Sequence, residues 1–213
     1  TCMRNAVGDG YCVGYTAYGQ VGSGNFTTTQ LTPALVSDTL RWTHLSAGGN
    51  HTCGVTSDQR LFCWGQGVVG QLGVVGTGHR SAPTEVDLAA SFVDVSCGYN
   101  HTCAVTTAGE LYCFGHNTRG QLGDGTTTGR ATPTRVGGDS DWARVFAGTG
   151  QNTCAIKADG RTYCFGQNDS GQLGNGGFAD ALAPTQVPEF VGTQAPASLE
   201  VGSTHVCAVA TDG

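Results

Sequence analysis

Five cysteines recur along the chain at a near-constant step. Cys2, Cys53, Cys103, Cys154 and Cys207 are separated by 51, 50, 51 and 53 residues, and the first four are each followed, after nine intervening residues, by Cys12, Cys63, Cys113 and Cys164. A unit of about 50 residues that repeats in this way is one supersecondary element, too small to bury its own faces and obliged to stack on its neighbours. Within each unit other signals keep register with the cysteines. Gly19-Gln20-Val21-Gly22, Gly70-Gln71-Leu72-Gly73, Gly120-Gln121-Leu122-Gly123 and Gly171-Gln172-Leu173-Gly174 follow the second cysteine and read as strand ends. Pro33, Pro83, Pro133 and Pro184 suit strand starts or sheet edges, because proline cannot donate to a ladder. Trp42, Phe92 and Trp142 open alternating segments such as Phe92-Val93-Asp94-Val95-Ser96-Cys97, each closed by a glycine turn.

Gly is 35 of 213 residues and charged residues are 12%, a composition of short strands and tight turns. A stack of all-β units is a propeller or a β-solenoid, and solenoid rungs usually repeat over shorter periods. The expected fold is therefore an all-β propeller with blades of about 50 residues. The whole of 1–213 is one propeller segment of four to five blades, with units near 1–40, 41–90, 91–140, 141–196 and 197–213, the first and last partial.

Gly8, Gly109, Gly160 and Gly213 each fall six residues after the first cysteine of their unit, and Gln59 takes that place in the second. If Cys103 faces Cys113, Thr106 faces Glu110 and Thr107-Ala108-Gly109 becomes a three-residue loop whose last residue needs positive φ. Counting back, the cysteines fall on a non-hydrogen-bonded pair, where Cβ atoms are close enough for a disulfide. The pairs expected are Cys2–Cys12, Cys53–Cys63, Cys103–Cys113 and Cys154–Cys164, each contributing about 2–3 kcal/mol in the chain-entropy model. Zinc is the rival reading, but no Cys-x-x-Cys occurs and each unit offers only two thiolates. Disulfides imply an oxidising compartment, hence a secreted or cell-surface protein. Cys97 and Cys207 remain unpaired: Cys97 aligns with Ala47 and Ala147 as a small buried residue, and Cys207 begins a unit whose second cysteine would lie beyond Gly213.

The formal net charge of −6, with no run of Lys or Arg, gives no footprint for nucleic acid or an anionic membrane. No apolar stretch is long enough for membrane insertion, and the start at Thr1-Cys2 reads as a mature or excised segment. His51, His101 and His205 stand two residues before a cysteine, which invites a metal or catalytic role. A catalytic site, however, is a single convergence of unlike groups, so residues that recur in every unit read as hydrogen-bonding or packing posts. Asn152 replaces the histidine in one unit. His44, His79 and His116 are isolated, and no nucleophile elbow, phosphate loop or paired carboxylates occur. No catalytic residue, cofactor or metal is expected. Asn25, Asn50, Asn100 and Asn168 head Asn-x-Ser/Thr triplets and are candidate glycosylation sites, although the last three read equally as loop residues of the repeat.

Gly48-Gly49-Asn50-His51-Thr52-Cys53, Leu61-Phe62-Cys63-Trp64-Gly65 and Gly70-Gln71-Leu72-Gly73 together resemble the repeat of the regulator of chromosome condensation family. The resemblance covers essentially the whole chain and implies a seven-bladed propeller of which four to five blades are present here. A closed ring of four is the alternative. The cysteine pairs are similar to those of secreted members. The founding member catalyses guanine nucleotide exchange on a nuclear GTPase, which disulfides and the lack of a basic tail do not favour. The function expected is a non-enzymatic extracellular module that presents rim loops to a protein partner or to neighbouring subunits of an assembly, with Val69, Val74, Val75 and Phe178 as contacts. The alternatives are inhibition of a secreted enzyme such as a β-lactamase, as in one branch of the family, and nucleotide exchange.

Overall fold

The spacing between cysteines folds as the hairpin that it dictates. The computed structural model describes residues 1–188, 196 and 198–209, so Asp212, Gly213 and the join between the last two units at 196/197 lie outside or at the border of the described residues. The first blade holds β1 (Cys2–Arg4), β2 (Gly10–Tyr15) and β3 (Thr29–Leu35). The second holds β4 (Trp42–Ala47), β5 (His51–Thr56), β6 (Leu61–Gly65) and β7 (Arg80–Glu85). The third repeats the plan with β8 (Phe92–Cys97), β9 (His101–Thr106), β10 (Leu111–Gly115) and β11 (Arg130–Arg135). The fourth has β12 (Trp142–Ala147), β13 (Asn152–Lys157), β14 (Thr162–Gly166) and β15 (Ala181–Gln186). The last comprises β16 (Ser198–Val201) and β17 (Val206–Val209). Every sheet is an antiparallel meander in sequence order, and no α-helix occurs among the described residues.

In the third blade Cys103 lies opposite Cys113, and the turn closes through Thr106 N–H to Glu110 O (2.9 Å) and Gly109 N–H to Thr106 O (2.9 Å). Gly109 sits at φ 73°. Its missing Cβ matters twice, since a Cβ there would also lie 2.3 Å from Ser140 O. Gln59 holds the same turn in the second blade at φ 66°, the one non-glycine residue with positive φ among those described. The disulfides Cys2–Cys12, Cys53–Cys63, Cys103–Cys113 and Cys154–Cys164 each join strands whose Cα atoms stand 4.1 Å apart, as at non-hydrogen-bonded pairs.

One expectation needs correction. The Gly-Gln-x-Gly segments end no strand: β6, β10 and β14 stop at Gly65, Gly115 and Gly166, and the motif forms a separate double turn several residues later. Its purpose is packing. Leu72, Leu122 and Leu173 project from it into the seams between blades, and Gly22, Gly73 and Gly123 lie against the rings of Trp64, Phe114 and Phe165 in the following blade. A Cβ at those glycines would approach the rings to 2.7–2.8 Å, so the aromatic that follows the second cysteine selects the glycine one blade earlier. Of the two places open to the prolines, a strand start or a sheet edge, the structure gives the edge. They lie inside β3, β7, β11 and β15, at the outer edge, where the register slips between Cys63↔Thr84 and Gly65↔Arg80, so Pro83 interrupts no ladder bond.

The core runs as a chain of seam clusters. Leu72, Val74 and Val86 of the second blade pack with Phe92, Val95 and Phe114 of the third, and Leu122 and Val136 of the third pack with Trp142, Val145 and Phe165 of the fourth. Because strand direction alternates, loops fall on two opposite faces. One carries the long loops 16–28, 66–79, 116–129 and 167–180 with the turns at 48–50, 98–100 and 148–151; the other carries the tight hairpins and the connections between blades.

Candidate functional site

The recurring histidines are posts in a hydrogen-bond relay between blades. His51 and Cys53 are two residues apart on β5 and face the same seam. Thr102 Oγ1 of the next blade donates to Gln71 O (2.8 Å), which uses its only hydrogen, so it accepts from His51 Nε2–H (2.8 Å). The same relay joins His101 Nε2 to Thr153 Oγ1 (2.9 Å) and Thr153 Oγ1 to Gln121 O (2.9 Å). Protonation would put a second N–H into the buried seam, and burial accordingly lowers the pKa of His51 to about 4 and of His101 to about 3, the latter also repelled by its neighbours His51 and His116. Asn152 stands at the third position with both amide ends unpartnered, because Val206 occupies the place that Thr102 and Thr153 hold in their blades. His205 is exposed, with its ring beside Gly202. A second relay runs along the inner strands: Cys97 N–H donates to Ser46 Oγ and Ala147 N–H to Ser96 Oγ, both at 2.9 Å, and Val145 N–H donates to Asp94 Oδ2 (2.9 Å).

The long loops are shaped from within. In the third blade Asn117 Nδ2 donates to Asp124 Oδ1, Thr126 O and Thr128 O, while its Oδ1 accepts from Leu122 N–H. In the fourth, Asn168 Nδ2 donates to Asn175 Oδ1, Gly177 O and Ala179 O, each at 3.0 Å. That overturns Asn168 as a glycosylation site, because its amide is fully buried and its nitrogen already engaged. Asn25 is exposed and accepts from Thr27 Oγ1 (2.9 Å), and Asn50 and Asn100 lie half-buried in turns of the long-loop face.

The second blade has Gly67 where Asn117 stands and Val74 where Asp124 stands. The loop there is anchored by a hydrophobic contact in place of an amide clamp. Val74 is 6% exposed within the seam core, so it is withdrawn as a partner contact. Val69 (37% exposed), Val75 (74%) and Phe178 (74%) do stand out from the long-loop face. Phe26 and Tyr99 are exposed on the same face and escaped the sequence reading, and Val68, from the Val68-Val69 rim loop, is exposed beside them. Tyr99 was findable, since Gly49 and Thr149 occupy its place in the other units.

The opposite face is dressed differently. Seven of the ten ion pairs among the described residues lie there, including Arg60–Glu85, Arg135–Glu110, Arg161–Asp159 and Lys157 with Asp139 (2.7 Å) and Asp141 (3.0 Å). Charged groups thus satisfy one another on the hairpin side, where Val7 is the exposed apolar tip of a turn, while most of the large exposed apolar loop residues stand on the long-loop side. Among the described residues one group brings three potential ligand side chains together, His51, Cys53 and Cys97, and the sulfur of Cys53 is engaged with Cys63. Cys207 is an exposed free thiol on β17.

A family model described as the regulator of chromosome condensation (RCC1) repeat matches residues 8–55, 58–105, 108–156 and 159–209, and a second model of that description matches 42–71, 92–121 and 142–172. The ultraviolet-B receptor UVR8 of Arabidopsis thaliana is 35% identical over 79 residues, which are 36% of this chain and 18% of the receptor. The structure of human WBSCR16 superposes with a TM-score of 0.87 at 21% identity, covering 98% of this chain and 55% of that one. Yeast RCC1 (Prp20), solved bound to Kap60, gives 0.74 at 22% identity over 87% of this chain and 46% of that one. The chain therefore spans about half the length of these solved structures and a smaller share of the receptor.

Proposed function

The chain belongs to the regulator of chromosome condensation (RCC1) repeat family, and from that premise we propose that it is a non-enzymatic, extracellular interaction propeller whose long-loop face binds a partner protein. The observation that carries the reading is the division of the two faces. Val68, Val69, Val75, Tyr99 and Phe178 project from one, while ion pairs dominate the other. Apolar tips on loops held by a rigid scaffold are the usual anchors of recognition. The yeast relative solved with Kap60 bound supports a protein as the class of partner. Four disulfides support an oxidising, extracellular setting, because cytosolic thiol pools keep such pairs reduced.

The test is site-specific photo-crosslinking at the surface of the native source, with the probe at Val75 on one face or at Arg161 on the other. The expected result is a discrete adduct from Val75, absent from Arg161 and lost in the Val69→Asp/Phe178→Asp variant. Equal labelling from both faces, or an adduct indifferent to that variant, overturns the assignment.

A further inference from the structure

We infer that Cys97 is a resolving thiol for the Cys53–Cys63 disulfide: when the seam between the second and third blades loosens, its sulfur exchanges into that bond and turns a clamp within one blade into a covalent link between two. The placement is specific. Cys97 ends the inner strand β8 and faces the seam, held by its N–H donating to Ser46 Oγ (2.9 Å). Its Sγ, the Sγ of Cys53 and a ring nitrogen of His51 all lie within 4.8 Å of one another, and all three side chains are buried. His51 and Cys53 share a face of β5, Cys63 stands directly across the ladder from Cys53, and the thiol comes from the neighbouring blade. At the corresponding position the other inner strands carry Ala47 and Ala147, so this seam alone among those described sets a free thiol against a disulfide.

The step balances without an outside reagent. The Cys97 thiolate attacks Cys53 Sγ, the Cys53–Cys97 bond forms as the Cys53–Cys63 bond breaks, and Cys63 leaves as a thiolate that takes up the proton given up by Cys97. One thiol and one disulfide enter, and one of each remain. In the closed seam the reaction is silent. Burial pushes the Cys97 thiol up to about 12, and the titratable group facing it, His51, is held neutral, with the hydroxyls of Ser46 and Thr102 and the Cys53 backbone beside the sulfur. Water entering the seam restores ordinary thiol acidity and with it the nucleophile. Exchange therefore reports seam opening and answers it by tying the two blades together.

The experiment uses the full chain carrying Cys207→Ser, which removes the exposed thiol. The protein is held at neutral pH in guanidinium just below its unfolding transition, quenched in acid, alkylated and mapped without reduction. The expected products are Cys53–Cys97 and alkylated Cys63 in equal amounts, at a rate unchanged by tenfold dilution, with the other three pairs intact. Adding Cys97→Ala preserves all four original pairs. Alkylation of Cys97 while Cys53–Cys63 stays whole overturns the inference, as do Cys63–Cys97 and Cys53–Cys97 in equal yield or a rate that rises with protein concentration.

Discussion

Gln59 and Gly109 occupy equivalent turns, and the backbone asks the same of both, a left-handed conformation that costs a side-chain-bearing residue about 1 kcal/mol. Gln59→Gly is therefore expected to raise unfolding free energy by about 1 kcal/mol, read from urea midpoints. Gly109→Ala, which meets Ser140 O as well, is expected to lower it by more than that. The buried histidines make a second prediction at this scale. Their folded pKa values, about 4 for His51 and about 3 for His101, lie below the ordinary 6.5, so the unfolded chain binds more protons between 6.5 and 3. Their contribution is whole above pH 6.5 and is lost as pH falls through that window, by several kcal/mol in all. The urea midpoint is expected to drop from pH 7 to 4.5, with a flatter slope in His51→Asn/His101→Asn. An unchanged slope in that variant would mean that the imidazoles are not held neutral by the seams.

The hairpin was the most legible element, because three separate constraints, cysteine spacing, the turn glycine and strand alternation, agree on one register at Cys103 and Cys113. The outer parts of each blade were less legible. Gly-Gln-Leu-Gly shows its glycines in the sequence but not the aromatic of the following blade against which Gly73 and Gly123 pack, since that contact is long-range. Val74 was misread for a related reason: in a loop, an apolar residue looks the same whether it points out like Val75 or replaces the Asp124 end of an amide clamp. The clamp itself can be measured. Asn117→Ala strands Leu122 N–H and takes a donor from Asp124 Oδ1, Thr126 O and Thr128 O, and is expected to cost about 1–3 kcal/mol with faster amide exchange confined to 117–128. Leu122→Ala empties a seam and is expected to cost about 2–5 kcal/mol, with faster exchange in both adjoining blades.

Across the whole molecule the repeat does structural work and the departures from it carry the individuality of the chain. His51–Thr102–Gln71 and His101–Thr153–Gln121 tie successive blades in the same way, whereas Asn152 facing Val206 breaks the series. The sequence period announced such an array, yet the gathering of most apolar loop tips on one face and of most ion pairs on the other depends on strand direction, which only the assembled blades display. The hairpin of each of the first four blades is clamped by a disulfide. Non-reducing peptide mapping of protein from its native source tests this most directly. It should find Cys2–Cys12, Cys103–Cys113 and Cys154–Cys164 bonded, and a single buried thiol in the second seam, at Cys97 or, after exchange, at Cys63. Free thiols at Cys103 and Cys113 would contradict it.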